Sequence, residues 1–146
     1  MKQTTPETRD LAHKLLAQEA GGSVVSETAS QMAERSFEKL RLHLTKLVGL
    51  AGFQALLSRA LALAKAEVPW LEGVRVKADG SLEGLGEAAQ QQDAEAAARG
   101  SATLLAQLLA LLMTFIGEYL TLRLMRDVWP NASLSDRNTG TEETAR

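Results

Sequence analysis

Residues 101–130 read SATLLAQLLALLMTFIGEYLTLRLMRDVWP, and the fold turns on this stretch. At 3.6 residues per turn it is a helix of roughly eight turns. Ser101 stands as an N-cap, accepting a bond from an orphan amide. Arg123 and Arg126 lie near the far end, where cations complement the helix dipole. Pro130 forbids continuation. On a helical wheel Gln107, Thr114, Glu118 and Thr121 share one sector, beside Ala106, Ala110 and Gly117. Leucines, Met113, Phe115, Ile116 and Tyr119 occupy an arc of about 200°, twice the ~100° of an ordinary surface helix. Such a helix is expected to be surrounded by other helices, by a partner chain or by lipid.

Its uninterrupted apolar run, residues 108–117, is about half the ~20 residues that a bilayer span requires. Extension takes in Gln107 on one side, or Glu118 and Arg123 on the other, and a charge at mid-membrane costs about 2.5–3.5 kcal/mol. The expectation is therefore a core helix of a cytoplasmic bundle. The alternative is a membrane-associated protein inserted through residues 104–124, where a stripe of small residues suits close helix approach in lipid.

The rest of the chain supplies partners for this helix. The 146 residues suffice for one domain with a core of its own. With no cysteine, disulfides, thiolate catalysis and thiolate-bound zinc are excluded. The start, MKQTTPETRD, lacks an apolar region after its single Lys, so no secretory signal is expected. Pro6 opens a short first helix that Gly21 and Gly22 close. A second helix is expected over residues 27–48, with Thr28 and Gln31 spaced as a capping box. Its face is formed by Ala29, Ala33, Phe37, Leu40, Leu44 and Leu47. Gly49 and Gly52 bracket a break, and a third helix follows from Phe53 until Pro69 stops it. Val74-Arg75-Val76-Lys77 alternates ahead of the turn dipeptide Asp79-Gly80, which predicts a hairpin over residues 73–85 leaning on the helices through Val74, Val76 and Leu82. Residues 87–99 are good helix formers with no large apolar side chain. A solvent-facing helix is expected there, separated from the long helix at Gly100-Ser101. Residues 131–146 are polar and read as a disordered tail. The whole is an all-α, or nearly all-α, bundle of four to five helices, with residues 1–130 as one helical domain.

Chemistry-bearing residues are sparse. His13 and His43 have no second ligand three or four residues away, so no metal site is expected. Glu34 and Glu38 alternate with Arg35 and Lys39 as a charged surface does. The glycines at 80–86 lack the order and the Lys of a phosphate loop. A helix-turn-helix about Gly49 would present Phe53, Leu56 and Leu57 to the major groove, where polar side chains are required. With a net charge of −2, nucleic acid is not an expected partner. No catalytic residues, cofactor or metal are assigned, and a small enzyme without recognisable motif stands as a second alternative. The main expectation is a non-catalytic interaction or regulatory protein, self-associating as a homodimer or binding a protein partner. The excess apolar surface of the third and long helices carries it. The residues expected at that interface are Phe53, Leu56, Leu63, Phe115, Tyr119 and Leu122. Glu118 in the apolar helix, with Arg59 as its mate, is expected to form a buried polar contact.

Overall fold

A computed structural model describes residues 6–21 and 29–129. Along these the order is α1 (Pro6–Gly21), α2 (Ala29–Glu67), a 3-10 turn (Pro69–Gly73), β1 (Arg75–Val76), β2 (Leu82–Glu83), α3 (Leu85–Gln90), α4 (Ala94–Ile116) and α5 (Glu118–Val128). This is the expected helical bundle with a small antiparallel hairpin. The capping box at Thr28, the stop at Pro130 and the tail from residue 131 lie outside the described residues.

α2 and α4 pack along each other, α1 closes over both, and α3 with the hairpin lies against α2. The buried positions follow helical spacing: Phe37, Leu40 and Leu44 in the first half of α2, then Phe53, Leu57, Ala60, Leu61 and Ala64 in the second. α4 supplies Leu104, Leu105, Leu108, Leu109 and Leu112, and α5 supplies Leu122, Met125 and Val128. Trp129, immediately after α5, is also buried. The segment 104–124 is thus not one rod: its first part is enclosed by the chain's own helices.

Three boundaries differ from the sequence reading. First, the long helix breaks at Gly117, whose φ of 91° and ψ of 157° belong to a region open only to glycine. A straight rod over 94–128 would extend about 50 Å, beyond anything the other helices can cover. The break lets α5 fold back and bury Leu122, Met125 and Val128. Second, there is no break at Gly100. α4 starts at Asp93, whose carboxylate accepts from Ala96 N at 2.7 Å, and runs through Gly100 and Ser101. The Ala-rich segment is therefore divided between α3 and the first turns of α4, with Ala89 and Ala97 buried. Gly100 has a packing role: the Trp70 indole lies where a Cβ would be. Third, the break expected between Gly49 and Gly52 is confined to a kink at Gly49 (φ 82°, ψ 164°), and Gly52 stays helical.

The wheel sector assigned to water is also divided. Thr114 and Glu118 are exposed, but Gln107 and Thr121 are buried. Each has a partner that satisfies it. Gln107 Nε2 donates to Glu67 Oε2 at 2.7 Å, and Thr121 Oγ1 donates to the Gly117 carbonyl at 2.8 Å. The hairpin leans on α2 as expected, with Val74 buried and Val76 and Leu82 packed on the core. Gln54 donates to the Lys77 carbonyl at 3.2 Å, and Gly80 lies against Leu50 and Phe53.

Candidate functional site

Large apolar side chains are exposed in two places, each beside a glycine break. Leu42, Leu47 and Leu50 lie around Gly49, and Phe115 and Tyr119 lie around Gly117. Leu47, expected on the inner face of α2, is exposed.

The expected interface residues separate accordingly. Phe115 and Tyr119 are 64% and 72% exposed. Leu56 and Leu63 are half-buried on α2. Phe53 and Leu122, at 0% and 4%, are inside a single copy of the chain, because the folded-back α5 and the hairpin cover them. Phe53 is thereby removed from the interface set. Arg59 and Glu118 are both exposed, so the buried contact expected between them is not a feature of this fold. Glu118 instead sits in the first turn of α5, where a carboxylate complements the positive end of the helix dipole.

On the outer side of α5, Glu118, Tyr119, Leu122 and Arg126 line an open groove of about 270 Å³. Its centre is apolar and aromatic. An acid stands at one end and a base at the other, two turns apart.

A second hollow, about 120 Å³, lies between α2 and the hairpin, lined by Glu34, Phe37, Glu38, Ser81, Leu82 and Leu85. Small-molecule pockets begin at ~300 Å³, so this one has room for waters only. Glu38 is occupied in an ion pair with Arg41, and that guanidinium also donates to the Asp79 carbonyl oxygen at 3.4 Å. Asp79 in turn accepts from the Ser81 hydroxyl at 2.6 Å and the Ser81 amide at 3.0 Å, which hold its carboxyl below the usual Asp value. Hydrogen bonding with Glu38, chiefly, raises the Arg41 pKa from its already high value. These bonds fasten the hairpin tip to α2.

Among the described residues no three His, Cys, Asp or Glu side chains converge as metal ligands. His13 is exposed, and His43 Nδ1 lies 3.0 Å from the Lys39 carbonyl of its own helix. One polar cluster escaped the sequence reading. Glu67 joins three helices, accepting from Arg9 Nη2 of α1 at 2.6 Å and from Gln107 of α4. Gln107 was visible as the lone amide in an apolar run, but nothing in the spacing pointed to a partner 40 residues away. Comparison of the chain with protein-family models, curated protein sequences and solved structures finds no match.

Proposed function

We propose that the chain is a non-catalytic interaction protein that self-associates through the corner between α4 and α5. The observation that carries this reading is the self-complementary groove on α5. Opposite charges, Glu118 and Arg126, stand four residues either side of Leu122, which forms the floor of the groove, with Tyr119 beside Glu118. A two-fold axis through Leu122 crosses two α5 helices antiparallel. It sets Glu118 of one copy beside Arg126 of the other, twice, with the Tyr119 rings over the apolar centre. Closed two-fold pairs of this kind use one patch on both subunits. Phe115 and Tyr119 are the large, rigid side chains such contacts favour.

A charge exchange tests the pairing. Glu118→Arg alone gives two like charges across each contact, and so does Arg126→Glu alone. Each variant is expected to sediment as a monomer, while an equimolar mixture of the two forms a heterodimer. Two self-associating single variants, or a mixture that stays monomeric beside a dimeric wild type, would refute this pairing.

A further inference from the structure

A second surface lies on α2 before Gly49, where Lys46 is exposed and Arg35, Lys39 and His43 are half-buried. On a wheel of 100° per residue, Arg35, Lys39, His43 and Lys46 fall within about 80° of one another. Leu42 borders this stripe on one side and Leu47 on the other. The acids of the same helix stand outside it, turned toward the hairpin: Glu34 overlies Gly86, and Glu38 holds Arg41. From residue 39 to residue 66 the sequence has no acidic residue at all, in a chain of net charge −2. The positive charge is thus concentrated here.

Apolar surface accompanies it. Leu42, Leu47 and Leu50 are 51%, 47% and 45% exposed, and Ala51 is exposed beside them. Two helical segments are long and apolar enough to cross a membrane by length and composition, but the fold treats them differently. The apolar window of Ala94–Ile116 is 61% buried, and that of Glu34–Glu67 only 28%. The apolar content of α4 is accounted for by the core. In α2 Phe53, Leu57 and Leu61 are buried as well, and the large apolar side chains left outside are Leu42, Leu47 and Leu50, with Lys46 among them.

We propose that this face, with Leu42, Leu47 and Leu50 at the Gly49 bend and Lys46 between them, docks on an anionic lipid surface. The leucines enter the interface between headgroups and acyl chains, and the cationic stripe lies at headgroup depth. This is the mode of amphipathic helices that rest on a bilayer without spanning it. Each Lys or Arg near an anionic leaflet strengthens attachment about fivefold, the equivalent of about 1 kcal/mol. A nucleic-acid groove would use the cations but leave three leucines in water, and so fits less of the surface.

Co-sedimentation of the full chain with vesicles provides the test. Binding is expected to phosphatidylcholine–phosphatidylserine vesicles, to weaken as salt is raised, and to be absent from pure phosphatidylcholine. Lys46→Ala is expected to lower the partition roughly fivefold. The double substitution Leu47→Ser, Leu50→Ser is expected to lower it further, with circular dichroism and self-association without lipid unchanged. No binding to the anionic vesicles, or equal binding to both vesicle types, overturns the proposal. So does loss with Lys46→Ala but not with the serine variant, accompanied by tighter binding to duplex DNA than to vesicles, which would assign the stripe to nucleic acid.

Discussion

Adjacent residues in α4 are expected to respond in opposite directions to the same substitution. At Gly100 an alanine raises helix propensity by about 1 kcal/mol. Its Cβ, however, would meet the Trp70 ring, and overpacking a filled site costs about 1–3 kcal/mol. Packing wins, so Gly100→Ala is expected to lower the denaturant midpoint. At Ser101 the hydroxyl is buried with no hydrogen-bond partner. Such an unsatisfied group carries a desolvation penalty of about 1–3 kcal/mol. Ser101→Ala removes it and is expected to raise the midpoint. Gln107→Ala belongs to a third class, because it strips Glu67 of one donor. The remaining Arg9 contact is partly exposed, so the expected loss is about 1–3 kcal/mol, read from urea unfolding. None of these signs follows from the sequence. Gly100 reads as a helix breaker and Ser101 as a cap, since the ring and the sheath of neighbours that settle their roles come from distant parts of the chain.

Among the elements, what was legible was whatever has a local cause. Pro6 at the start of α1, the 3.6-residue spacing through α2 and Asp79-Gly80 at the hairpin each act within a few residues, and each appears in the structure. The bend at Gly117 is different. The sequence around it favours a continuous helix, and the break exists because folding α5 back buries Met125, Val128 and Trp129. Long-range packing also moved Gln107 and Thr121 from the wet sector into the interior, and placed Phe53 under the hairpin and out of the interface. Phe115 and Tyr119, which no returning element covers, stayed where the wheel placed them. The faces of α4 are tested by Leu109→Asp, which buries an unpaired carboxylate and is expected to cost several kcal/mol. Phe115→Ser, at an exposed site, is expected to change the stability of the single copy by no more than about 0.5 kcal/mol. The hairpin has its own signature. The folded state lowers the Asp79 pKa through its bonds to Ser81, so ionised Asp79 favours the turn. That contribution is complete above the ordinary Asp value of about 3.9. It is lost as pH falls below that value and through the lower folded one. Protection of the Ser81 amide against exchange, taken relative to its intrinsic rate at each pH and followed by NMR, is expected to fall over that range, and Asp79→Asn is expected to flatten the response.

For the molecule as a whole, the two glycine bends have a common consequence. At Gly117 the bend lets α5 pack back on the core, at Gly49 α2 kinks and goes on, and each is a corner beside which large apolar side chains are exposed. At Gly117 that corner is apolar with balanced charge, which suits a copy of itself. At Gly49 exposed leucines stand around Lys46, which suits an anionic surface. The proposed self-association at Gly117 is subject to mass action. If folding and pairing are linked, the apparent melting temperature rises with protein concentration. Equilibrium ultracentrifugation of the wild-type chain over a wide concentration series tests it most directly. A monomer–dimer equilibrium is expected, which Tyr119→Ser shifts to monomer without unfolding the chain. A wild-type chain that remains at the monomer mass throughout, with a melting temperature independent of concentration, would contradict it.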